Sequence, residues 1–196
     1  MGQWSRNFHG VPACIAALLT TLAFDPAAAA PQHRGSSSHV YLFTGLMGMT
    51  GGLEATAEKI RRRNVPTTIA GPNEWHSLAQ SAAENYKHGR LRSIILVGFS
   101  MGGGSAMEMA SVLNEKKVPV RLVITLDPVG AGNIPPNVRR VVNYYVSSGI
   151  SGAITRSPKY HGSLQNVGRQ KPDLNHFSLP LAREREVLSQ VLAAAR

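Results

Sequence analysis

Residues 94–104 read IILVGFSMGGG, an apolar run that enters a serine flanked by glycines. Glycine permits the sharp backbone turns that other residues resist, and a serine at such a turn has two readings. In one, Ser100 caps the helix that follows. In the other, the turn exists to present the Ser100 hydroxyl as a nucleophile. A serine hydroxyl is a weak nucleophile until a base takes its proton. Histidine can do so near neutral pH, and a buried carboxylate then fixes the imidazole tautomer. The reading as a nucleophile therefore stands only if the chain also supplies an imidazole, a carboxylate and two N–H donors for an oxyanion.

The acid emerges by elimination. The chain has three aspartates, Asp25, Asp127 and Asp173. Asp25 lies in an amino-terminal segment unlike the rest, and Asp173 sits three residues before a histidine. Asp127 remains, at the end of VRLVITLD, although LDPVG would also suit a plain turn. Seven of the glutamates fall in predicted helices, and Glu74 follows the second predicted strand, away from the usual position of an acid. Among the histidines, His33 and His39 are expected ahead of the fold, and His76 and His88 on or beside a helix. His161 and His176 lie on late loops. The order serine, acid, histidine favours His176, just before the final predicted helix, with His161 as the alternative. For the oxyanion, one N–H is expected from Met101, which follows Ser100. The other should come from the loop after VYLFTG, from Leu46 first and Met47 as the alternative. That loop has no G-x-x-x-x-G-K-[ST] pattern, which argues against phosphate binding.

These residues need elements to hold them. VYLFTG (40–45), VPTTIAG (65–71), SIILVGF (93–99), VRLVITLD (120–127) and VRRVVNYYV (138–146) read as buried strands, with a weak strand in SLQNVGRQ (163–170). Helical spacing appears in Leu53, Ala57 and Ile60, and again from Trp75 to Tyr86, where Asn73 is the expected cap. It recurs in Ala106, Met109, Ala110 and Leu113, and then over 179–195. Strands alternating with helices predict an α/β fold, a mostly parallel open sheet covered on both faces. Chemistry in such sheets gathers at the carboxyl ends of the strands. Ser100, Asp127 and the loop after VYLFTG all fall on that rim, with His176 placed to hang over it.

Residues 1–29 combine a basic start, the apolar VPACIAALLTTLAF and small residues at an A-x-A site. This is the pattern of a secretory signal peptide, with 30–38 as a flexible leader and 39–196 as the domain. Periplasmic or secreted localisation is the expectation. The single cysteine, Cys14, would leave with the signal, so neither a disulfide nor a cysteine nucleophile is expected in the mature chain. The formal net charge is +10, and losing Arg6 and Asp25 together leaves it there. Such a balance favours loose association with anionic surfaces. The basic residues are scattered apart from KIRRR (59–63) and VRR (138–140), and no nucleic-acid-binding signature appears, so no specific nucleic acid is expected.

GFSMGG matches the G-x-S-x-G nucleophile elbow between a strand and a helix. With the order Ser100, Asp127, His176, the chain from about residue 39 resembles a compact member of the α/β-hydrolase superfamily. The resemblance implies a serine hydrolase that cleaves ester or thioester bonds through an acyl-enzyme and needs no cofactor or metal. Two features depart from the family's commoner pattern. Asp127 follows the strand immediately after the elbow, as in some thioesterase-like members, and Thr44–Gly45 stands where histidine–glycine is usual. No segment is long enough for a cap domain, which predicts a shallow, open site for small-molecule or lipid acyl esters. Gly98, Gly102 and Gly104 also spell a dinucleotide-like G-x-x-x-G-x-G. That fingerprint would belong after the first strand and beside a Tyr-x-x-x-Lys, and neither condition holds. The competing expectation is a non-catalytic binding protein on the same scaffold, holding an anionic envelope component.

Overall fold

The computed structural model describes residues 1–2, 37–147, 151–169 and 174–196. Two compact units divide the chain, 1–33 and 34–196, and the sheet lies in the second. The signal peptide and most of the leader expected from sequence lie outside the described residues.

Six strands form one sheet in the order β2-β1-β3-β4-β5-β6, and every pair is parallel. They are β1 (Ser38–Phe43), β2 (Thr67–Ala70), β3 (Ser93–Phe99), β4 (Leu122–Leu126), β5 (Arg140–Val146) and β6 (Ser163–Arg169). All seven residues of β3 are buried, because a central strand covered on both faces has no polar side to show. Even-numbered residues of β1, such as Val40 and Leu42, face one layer of core, while Tyr41 and Phe43 face the other. On the first face lie α1 (Leu53–Arg61) and α5 (Glu184–Ala194), contributing Leu53, Ala57, Ile60, Val187 and Val191. On the second lie α2 (Trp75–Lys87) and α3 (Met101–Glu115), contributing Ala79, Ala82, Ala83, Ala106, Met109 and Leu113. The sequence-based fold class is therefore the observed one, with the sheet parallel throughout.

Three local expectations change, and a fourth, the weak last strand, holds. His39, expected ahead of the fold, lies within β1. Its Nε2 is 2.8 Å from Thr68 Oγ1 on β2, and its ring stacks on Tyr41 at 4.4 Å. Asn73 does not cap α2; Glu74 precedes the helix, and its carboxylate accepts from the Gly71 N–H at 2.5 Å. The weak strand expected over 163–170 is present as β6 and pairs with β5 along its whole length. The single helix expected over 179–195 is two, α4 (Leu179–Ala182) and α5, parted at Arg183, which leaves helical geometry at φ −108° and ψ 5°. The Arg183 side chain is buried, with its guanidinium over the Tyr144 ring at 5.3 Å and an ion pair to Glu186 at 2.9 Å. The break lets Val187 and Val191 reach the sheet while Pro180 packs beside Gly51.

The strand order reverses direction between β1 and β3, and in open parallel sheets ligands gather at the carboxyl edge of such a switch point. The β3–α3 segment is rich in glycine there for a steric reason. A Cβ on Gly102 would stand 2.3 Å from the Phe43 carbonyl oxygen, and one on Gly98 would stand 2.0 Å from that of Gly102. Helix α3 thus seats its first turn directly on the end of β1.

Candidate active site

Ser100 joins β3 to α3 with φ 54° and ψ −123°. Non-glycine residues rarely occupy positive φ, and such strain persists only where the surroundings enforce it. Three of the five described examples, Met47, Ser100 and Asp127, come from the loops that build this site. The hydroxyl of Ser100 makes no capping bond to α3, so the helix-cap reading fails. Its backbone is pinned instead: the Ser100 N–H donates to the Leu126 carbonyl at 3.0 Å, and its own carbonyl accepts from Gly103 and Val129, each at 2.9 Å.

Asp127 ends β4 and is fully buried. Its Oδ2 accepts from His176 Nδ1 at 2.7 Å. Its Oδ1 accepts from the Val146 N–H at 3.1 Å and from the Ser151 hydroxyl. Three donors around one carboxylate fix its orientation. With Nδ1 committed to Asp127, the neutral His176 ring leaves Nε2 free to accept a proton. The ring packs against Phe99 at 4.8 Å, one residue from the serine. Phe177 meets the ring edge-on at 5.1 Å.

The alternative base is elsewhere. His161 precedes β6 at the amino edge of the sheet and lines a groove with Arg121, Arg139 and Arg140. Parallel strands put its end of β6 and Asp127's end of β4 on opposite edges.

After β1, residues Leu46–Gly48 form one 3-10 turn, closed by the Gly45 N–H to the Met49 carbonyl at 2.6 Å. A Cβ on Gly45 would lie 3.2 Å from Ser100 Cβ, so this loop abuts the serine. Among the described residues, the N–H groups of Leu46, Met47 and Met101 donate to no protein acceptor. The loop also carries Thr44, whose Oγ1 is buried with no hydrogen-bond partner among the described residues.

Sequence reasoning missed Ser151 and the polar ladder behind it. Thr125 Oγ1 donates to Asn143 Oδ1 at 2.8 Å, and Asn143 Nδ2 donates to the Gly152 carbonyl and to Asn166 Oδ1, each at 2.9 Å. Asn166 in turn bonds the Ile154 backbone through both its amide groups, at 2.9 and 3.0 Å. These side chains stitch residues 151–154 to β4, β5 and β6 and so deliver Ser151 to Asp127. The sequence signal was Asn143 in a largely apolar strand, since a buried amide demands partners.

No family model and no curated protein sequence matches the chain. Solved structures do. RedJ, a thioesterase from the prodiginine biosynthetic pathway of Streptomyces coelicolor, is 16% identical with a TM-score of 0.57, over 95% of this chain and 98% of that one. Human thioesterase 2 is 10% identical at 0.58, over 81% and 96%. An α/β serine hydrolase without lid from Xanthomonas campestris is 13% identical at 0.51, over 85% and 84%. The chain has the α/β-hydrolase fold.

Proposed function

We propose that the protein is a serine hydrolase that cleaves carboxylic ester or thioester bonds through an acyl-enzyme on Ser100. The observation that carries this reading is the 2.7 Å bond from His176 to the buried Asp127, on the sheet edge where Ser100 stands in a strained turn. In the proposed reaction, His176 Nε2 takes the Ser100 proton as Oγ attacks the acyl carbonyl. The N–H groups of Leu46 and Met101 receive the oxyanion, with Met47 the alternative to Leu46. His176 then protonates the departing alcohol or thiol. Water, activated by the same imidazole, attacks the acyl-enzyme, and the carboxylic acid leaves with Ser100 restored. Asp127 orients the ring through Nδ1 and stabilises the imidazolium.

Among the described residues no hydrogen bond joins the Ser100 hydroxyl to His176, and in this proposal that bond forms as substrate is engaged. The thioesterases among the structural neighbours support an acyl substrate, ester or thioester. Export through residues 1–29 belongs to the same proposal.

A fluorophosphonate probe tests it. The folded wild-type chain should label, Ser100→Ala should not, and Ser105→Ala should label like wild type. Ser105 is the apt control because its hydroxyl is occupied within the fold, donating to the carbonyls of Pro72 at 2.6 Å and Met101 at 3.1 Å. A folded wild-type chain that takes no label would sink the catalytic reading and favour the binding protein.

A further inference from the structure

Exposed apolar side chains are unevenly placed. Apart from Met1, every large hydrophobic residue exposed among the described residues belongs to a segment that borders Ser100 or His176. Leu46, Met47 and Met49 come from the loop after β1, with Met47 92% exposed. Met101 follows the serine, and Val129 donates its N–H to the Ser100 carbonyl at 2.9 Å. Phe177, 60% exposed, meets the His176 ring, and Leu181, 64% exposed, follows within α4. The segments touch one another. A Cβ on Gly51 would lie 2.7 Å from Pro180 Cγ, and one on Gly52 would lie 3.7 Å from Leu181 Cδ1.

Single exposed apolar residues are ordinary on any protein, but a contiguous group marks a surface that meets something apolar. Here the group borders the residues at which a carbonyl would be attacked. The substituent on that carbonyl must leave the serine across this rim. Three of the residues are methionines, unbranched and able to conform to a flexible chain. The backbone at Met47 is held at φ 55°, a strained arrangement that keeps a thioether in water when a glycine would have cost less.

We infer that the rim formed by the β1–α1 loop, Phe177 and Leu181 is an acyl-chain subsite that takes the aliphatic tail of a medium- or long-chain ester or thioester. This rests on the hydrolase reading and gives it a substrate class. Partial burial of each methylene against one wall should raise kcat/KM about twofold, half the effect of full burial.

The test is a series of p-nitrophenyl esters from two to ten acyl carbons, held below their aggregation thresholds. The wild-type chain and the double variant Met47→Ser, Leu181→Ser are compared, with folding checked by thermal melting. Wild type should favour the decanoyl over the acetyl ester on the order of 10²-fold in kcat/KM. The double variant should lower that ratio about tenfold, mostly through KM. A flat wild-type profile, or a ratio the variant leaves untouched, overturns the subsite while leaving the hydrolase intact. A preference that appears only with aggregated substrate also overturns it and assigns the rim to a lipid surface. Hydrolysis of none of the esters overturns the reading on which the subsite rests.

Discussion

Ser100 holds φ 54° without the capping bond that would justify a serine there on structural grounds, and Asp127 holds φ 47° with its carboxylate completely buried. Two strained residues on adjacent strand ends are costly unless they position chemistry. The proposed roles make distinct demands on Asp127. As the acceptor of His176 Nδ1 it sets the tautomer, so Asp127→Asn, nearly identical in shape, should invert that preference. Loss of about 10⁴-fold in kcat is expected, the size of the corresponding change in a serine protease triad. Ester turnover checked against an unchanged far-UV spectrum measures this, and a loss under tenfold would remove Asp127 from the mechanism. At this scale sequence reasoning was strongest where choices were few. Asp127 was the one aspartate on a strand end, and His176 the late histidine just before the last predicted helix. Ser151 was illegible because its partner lies 24 residues away, with the whole of β5 between them.

Elements were legible in proportion to how completely they are buried. Strand β3 is apolar throughout because both its faces are covered, whereas β6 pairs on one side only and shows a weak signal. The break between α4 and α5 follows from where Arg183 packs, against Tyr144 on β5, and no periodicity along residues 179–195 encodes that contact. His39 shows how an element sets a titration. Burial between β1 and the neighbouring β2 pushes its imidazole below the ordinary 6.5. In the window below 6.5 the unfolded chain binds more protons than the folded one. This contribution to stability is therefore complete above 6.5 and lost as the pH falls toward the folded value. Between about pH 7.5 and pH 5, the melting temperature of wild type should fall more steeply than that of His39→Gln, which cannot titrate. Parallel melting curves would show that His39 carries no such linkage.

At the scale of the whole molecule, the two edges of the sheet differ in character. The carboxyl edge gathers strain, a buried carboxylate and an apolar rim. The amino edge carries Arg121, Arg139, Arg140 and His161 around a groove. The strongly basic balance is thus displayed in part away from the proposed chemistry, where a solvated surface explains it. Export, as proposed, would leave that balance at +10 and remove Cys14. Expressed in a secreting bacterium, the exported fraction should give an intact mass beginning at Ala30. A chain that retains residues 1–29 and stays in the cytosol would refute the export proposal.

Sequence alone determined the strand–helix alternation, the turn at Ser100 and the short set of groups able to serve it. Those features depend on local polarity and on steric limits within a few residues. Tertiary structure decided which late histidine meets Asp127, which side chains hold that carboxylate, and that the exposed apolar residues form one rim. Each of those outcomes depends on segments distant in sequence meeting at one sheet edge. Parallel topology produces that meeting by sending every strand's carboxyl end the same way.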